Sequence, residues 1–163
     1  MGRNTKKTGN SQLMTTLFLD LEKTMIHSWD DPIIVNEERI MSSIRLVNPD
    51  KVGIYSYAIY DKKDLTIFQD TIQYELEKSF QINIDPSLVF TVEEIAETIK
   101  QTKNADVRKF IQEYSKQKSF YEFIKNKYRN GKFILIDDLV DNSEVFLGDL
   151  NIQFLNPFLS MSY

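Results

Sequence analysis

Residues 132–138 read KFILIDD, a continuous apolar run that stops on two acids. A strand with this pattern has no polar face to turn toward water, so it folds only where both of its sides are covered. Residues 17–19 of LFLD have the same form, following Thr15 and Thr16 and ending at Asp20. A third run, KVGIYSYAI from Lys51, is rich in β-branched and aromatic residues. The covering layers must come from the segments between these runs, and those carry apolar stripes at helical spacing. Ile40, Met41, Ile44 and Val47 form one stripe; Leu65, Phe68, Ile72, Leu76 and Phe80 another; Val107, Phe110, Ile111 and Tyr114 a third. Strands alternating with helices predict an α/β fold, a three-layer Rossmann-like core around a mostly parallel sheet.

Local signals set the boundaries. Asn36 is placed to cap a helix running to Val47, which Asn48-Pro49 stops. Asp61-Lys62-Lys63 is a polar turn, and Asp85-Pro86 predicts another before SLVF. Thr91 and Glu94 have capping-box spacing, although VFTVEEI also suits an extended strand. Residues 119–128 predict a helix that ends at Asn130-Gly131, with Phe120, Phe123 and Ile124 facing the core. VFLGDLNIQFLNP then offers one or two terminal strands.

Composition narrows the chemistry. The 163 residues suit one domain with a sizeable core, and residues 14–163 are read as that domain. Residues 1–13 contain Arg3, Lys6 and Lys7 and no acid, and read as a disordered basic leader in a chain whose net charge is −4. No apolar stretch is long enough to span a membrane, and no secretory signal is visible, so a cytoplasmic protein is expected. The absence of cysteine excludes disulfides and thiolate chemistry, and a single histidine cannot build a His-rich zinc centre. Any metal would be held by oxygen.

In a sheet of this kind, ligands gather beyond the carboxyl ends of the strands. Asp20, Glu22 and Thr24 follow the first strand, Ser56 lies within or just after the second, and Asp137 and Asp138 follow the FILI strand. A strand-end aspartate can attack phosphorus, forming an aspartyl-phosphate. Its charge would repel a phosphate unless a hard cation such as Mg²⁺ were held alongside, by Asp20, an acid of the 137/138 pair and the backbone carbonyl of Glu22. A hydroxyl and an ammonium would bind the phosphoryl oxygens.

These residues together resemble the motifs of the haloacid dehalogenase-like phosphatase superfamily. LFLDLEKTMIHSW is similar to its opening strand and Asp-x-Asp-x-Thr motif at Asp20 and Thr24; VGIYSYAI is similar to its second motif at Ser56; FILIDD is similar to its paired acids, with Asp141 a further candidate. The resemblance implies a lysine upstream of the last strand, for which Lys118 is chosen and Lys116 is the nearest rival. It implies Mg²⁺-dependent hydrolysis of a phosphorylated substrate. Asp20 would be the nucleophile and Glu22 the acid and base; Ser56, Lys118 and Thr24 would bind phosphate, and Asp20, Glu22, Asp137 and Asp138 the metal. Only residues 25–51 separate the first two motifs, so the site is expected to be capless or nearly so, an arrangement often associated in that family with macromolecular or nucleic-acid phosphates.

The chain departs from the family pattern at two positions. Glu22 stands where a second aspartate is usual, and its extra methylene moves the carboxyl by a distance that can cost about a hundredfold in rate. Lys23 replaces the glycine most often found next. Two readings follow: an active phosphatase with an unusual acid, or a catalytically impaired binding protein on the same fold. Small size, few glycines and many Asn, Ile, Lys, Phe and Tyr residues are reminiscent of phage host-takeover proteins, including the Alc-type transcription terminators of T4-like phages. That likeness, one of size and composition, implies RNA polymerase or nucleic acid as the partner. His27 and Trp29, though close to the first motif, are assigned no catalysis.

Overall fold

A computed structural model describes residues 13–103 and 106–159. The basic leader, apart from Leu13, lies outside the described residues. Among the described residues, six strands form one sheet in the order β3-β2-β1-β4-β6-β5. The strands are β1 (Thr15–Leu19), β2 (Lys51–Tyr55), β3 (Ile84–Phe90), β4 (Gly131–Ile136), β5 (Ser143–Leu147) and β6 (Leu150–Leu155). All neighbours pair parallel except β5 and β6, an antiparallel hairpin whose turn includes Gly148 at φ 57°.

The apolar runs are apolar because successive side chains alternate between two buried faces. Leu17 and Leu19 of β1 and Ile134 and Ile136 of β4 enter one core with Ile40 and Ile44 of α1 (Glu37–Val47). That layer is completed by a long helical segment: α2 (Lys62–Ile67), a π-helical turn (Phe68–Ile72) and α3 (Gln73–Phe80). Phe18, Phe133 and Leu135 enter the opposite core, beneath α4 (Val92–Lys100), α5 (Val107–Glu113) and α6 (Lys116–Lys127). Aromatic edges meet faces in this second core: Phe18 and Phe120 at 5.6 Å, Tyr55 and Phe120 at 5.1 Å, Phe90 and Phe123 at 4.9 Å between ring centres. The result is the three-layer α/β architecture expected from the alternation of patterns. No described helix is long and apolar enough to cross a membrane.

The boundaries differ from the sequence expectation in three places, and one open boundary is resolved. Asn36 precedes α1 as expected, but in the left-handed conformation, and its amide caps nothing; it donates instead to the carbonyls of Lys23 (3.3 Å) and Thr24 (3.1 Å). Asp85-Pro86 lies inside β3 rather than before it. Proline is tolerated there because β3 is an edge strand whose register with β2 shifts, while Asp85 accepts from the Ser87 amide and hydroxyl in a local turn. Residues 91–94 form a complete capping box, which settles VFTVEEI as the end of β3 and the start of α4. The helix expected from Ser119 begins at Lys116, because Ser115 caps it by accepting from the Lys118 amide.

Gly53 is where the sheet tolerates no side chain. A Cβ there would collide with the Leu88 carbonyl oxygen and lie 2.6 Å from Leu88 Cβ and 2.9 Å from Phe18 Cε1. Gly53→Ala is therefore expected to destabilise the protein by about 1–3 kcal/mol, the usual cost of overpacking. A urea midpoint equal to that of the natural protein would contradict this.

Candidate functional site

Leu19 of β1 pairs with Ile136 of β4, so the next residues, Asp20 and Asp137, emerge side by side at the carboxyl edge of the sheet. Their backbones continue the ladder: the Asp20 amide donates to the Ile136 carbonyl (3.0 Å) and the Asp137 amide to that of Leu155 (3.1 Å). From β1 the strand order runs through β2 and β3 to one side and through β4 to the other. At such a reversal the covering helices part and leave a crevice.

Lys116 reaches this edge of the sheet from the first residue of α6. Its Nζ donates to Asp20 Oδ1 at 2.9 Å and to Asp137 Oδ2 at 2.6 Å, with the side chains of all three residues buried. The rings of Tyr57 and Tyr55 flank the ammonium at 5.2 and 5.9 Å. Each ring is fixed by its own hydroxyl: Tyr55 pairs with Ser119 at 2.9 Å, and Tyr57 donates to the Tyr114 carbonyl at 3.1 Å. The Thr24 hydroxyl lies against both Asp20 Oδ2 (3.0 Å) and Asp138 Oδ1 (3.4 Å). Asp137 Oδ1 accepts from the Leu139 amide (2.7 Å), and buried Asn156 donates to the carbonyls of Asp138 and Val140, holding the loop that carries both acids.

Burial pushes the carboxyl pKa values of Asp20 and Asp137 upward, an effect that the Lys116 charge partly offsets. Asp138 is also raised, by burial and then by the charge of Asp137. Burial alone would lower the Lys116 pKa, but the two carboxylates outweigh it and hold the side chain as an ammonium. Asp20, Asp137 and Asp138 each offer an oxygen, and the three atoms lie within 4.8 Å of one another. With all three acids ionised, they would outweigh the one ammonium by two negative charges. This all-oxygen cluster could hold a divalent cation.

The structure brings together Asp20, Thr24, Asp137 and Asp138. Ser56 lies at the same edge, one strand over; it is buried, and its Oγ accepts from the Ala58 amide at 3.1 Å. Two expected residues stand apart. Lys118 is exposed, with its Nζ over the Tyr114 ring at 4.9 Å. Two residues along a helix rotate a side chain by about 200°, so once α6 begins at Lys116 only Lys116 faces the acids. Glu22 is half-buried, and its Oε2 accepts from the Trp29 amide at 2.7 Å rather than joining the acidic trio. The position of Asp141 is fixed by its backbone, whose amide donates to Gln117 Oε1 at 3.0 Å. Sequence reading missed Tyr57 and Asn156. Tyr57 carried a signal, standing next to Ser56 at a strand end; Asn156 carried none. Lys23 stands in the left-handed region at φ 67°, which glycine adopts more readily than lysine.

Comparison with protein-family models, curated proteins and solved structures finds no match to this chain.

Lys116→Met leaves two buried carboxylates facing each other without their shared cation, and is expected to cost about 3–5 kcal/mol at neutral pH. Without the ammonium the folded-state pKa values of Asp20 and Asp137 rise further above their unfolded values. The folded state then binds more protons than the unfolded state, and the deficit shrinks as pH falls toward about 4. Urea denaturation at neutral pH and near pH 4.5 measures this; a deficit independent of pH would contradict it.

Proposed function

We propose that the protein is a Mg²⁺-dependent phosphohydrolase of the haloacid dehalogenase type that acts on phosphate monoesters through an aspartyl-phosphate on Asp20. The observation that carries this reading is the Asp20–Lys116–Asp137 bridge across the point where the strand order reverses, with Asp138 beside it. A carboxylate becomes an effective nucleophile toward an anionic phosphoryl group only when its surroundings supply positive charge, and the Lys116 ammonium on Asp20 supports this reading.

In this reading an Asp20 oxygen forms a bond to phosphorus as the bond from phosphorus to the ester oxygen breaks. The departing oxygen takes the electron pair and then a proton, for which Glu22 is the nearest acid in sequence. Water then attacks the phosphorus and releases Asp20 and inorganic phosphate, with Glu22 taking the proton from water. Lys116 stays charged throughout, and the Ser56 hydroxyl is the candidate donor to a phosphoryl oxygen. Asp20, Asp137, Asp138 and the Glu22 carbonyl would hold Mg²⁺, which would neutralise phosphoryl charge. Between β1 and β2 the described chain inserts only a short hairpin and α1, which supports an open site and a macromolecular phosphate as substrate.

A second reading rests on Glu22. Its carboxylate is already engaged by the Trp29 amide, which favours a protein that binds at this site but turns over poorly. RNA polymerase or nucleic acid would then be the partner class, and nucleic-acid binding should weaken steeply with salt.

Hydrolysis of an aryl phosphate with and without Mg²⁺ separates the readings. The first expects Mg²⁺-dependent turnover that falls on the order of 10⁴-fold in Asp20→Asn, the scale on which loss of a nucleophile is felt. Retained activity in Asp20→Asn would overturn it. An inactive natural protein revived by Glu22→Asp would favour the second.

A further inference from the structure

The Glu22 contact reaches beyond the acid itself. Directly after Asp20 the chain wraps around one carbonyl: the amides of Thr24, Met25 and Ile26 all donate to Leu21 O, at 3.1, 2.8 and 3.0 Å. It then forms a small hairpin in which Ile26 bridges Ile34, the His27 amide donates to Ile33 O at 2.8 Å, and Ser28 and Asp31 exchange backbone bonds at 3.2 Å. Two-stranded hairpins of this size have little stability of their own. This one is fastened at its base by Asn36, which holds the carbonyls of Lys23 and Thr24, and at its tip by Glu22 Oε2 on the Trp29 amide. Trp29, the only tryptophan in the chain, packs against the first core from this tip.

We propose that Glu22 is a positioning residue that pins this hairpin beside the acidic site, and that the Trp29 amide in turn fixes the orientation of the Glu22 carboxyl. Only Oε2 is held by Trp29. Oε1 has no hydrogen-bond partner among the described residues. The longer side chain at position 22 is what reaches the hairpin tip; an aspartate, shorter by one methylene, leaves the Trp29 amide without this partner. The inference takes its site from the phosphohydrolase reading, but its test does not depend on turnover.

Glutamine separates pinning from proton exchange, because its carbonyl oxygen still accepts from the Trp29 amide while its side chain carries no exchangeable acid. The experiment compares the natural protein with Glu22→Gln, Glu22→Asp and Glu22→Ala by Trp29 emission and acrylamide quenching. In parallel, binding of inorganic phosphate in the presence of Mg²⁺ is measured by calorimetry. Pinning predicts natural-like emission and quenching in Glu22→Gln, and red-shifted, more readily quenched emission in both Glu22→Asp and Glu22→Ala. Both Glu22→Gln and Glu22→Ala lack the carboxylate charge, so the difference between them reads the pin alone: phosphate should bind about tenfold more weakly to Glu22→Ala than to Glu22→Gln, the scale of one hydrogen bond. The proposal is overturned if Trp29 is equally shielded in Glu22→Ala and the natural protein, or if Glu22→Gln exposes it as Glu22→Ala does. Absence of phosphate binding in the natural protein, with the fluorescence pattern as expected, would count against the phosphohydrolase reading and leave the pinning role supported.

Discussion

One ammonium holds together two parts of the molecule that the chain would otherwise keep apart. Lys116 begins α6 in the helical layer, while Asp20 and Asp137 end neighbouring strands of the sheet. Taking three charges out of water is costly, and the cost is tolerable only because each carboxylate is also met by a second donor: the Thr24 hydroxyl on Asp20 and the Leu139 amide on Asp137. Replacing the triad with apolar side chains of similar volume would in general be neutral or favourable for stability. The charges kept at this strand-order reversal, with Asp138 beside them, are therefore not ones that folding stability requires.

The surrounding elements serve that arrangement in recognisable ways. Apolar alternation in β1 and β4 fixes the sheet in place, and their register sets Asp20 beside Asp137. Edge-to-face aromatic packing under α6 fixes that helix over β1 and β2, and the Tyr55–Ser119 hydrogen bond ties its first turn to the end of β2. Asn156, at the end of β6, holds the loop after β4 from below. The acids are thus borne on rigid strand ends, and the helix that brings the lysine is fastened near its own start.

Much of this was legible in the sequence, for physical reasons. Strands buried on both faces must read as apolar runs, so β1 and β4 and the acids that terminate them stand out. Thr91 and Glu94 announce α4 because a capping box needs both side chains at that spacing. Elsewhere the signal failed where one residue could serve two roles. Ser115 and Ser119 both suit a helix start, and choosing the later one turns Lys118 rather than Lys116 toward the site. Asn36 stands at a helix start yet spends its amide on the preceding turn. Pro86 marks a break in most contexts but is accommodated in a bulged edge strand. The engagement of Glu22 could not be read at all, because its partner is a backbone amide, which no residue type reveals.

Cation binding tests the central claim most directly, since the convergence of the Asp20, Asp137 and Asp138 carboxyls is the property from which the proposed chemistry follows. Thermal unfolding of the natural protein and of Asp137→Asn across a Mg²⁺ titration reads it without any substrate. The account predicts a Tm that rises with Mg²⁺ in the natural protein, as mass action requires of a ligand bound by the folded state alone, and no comparable rise in Asp137→Asn. A natural protein indifferent to Mg²⁺, or an equal rise in both proteins, would contradict it.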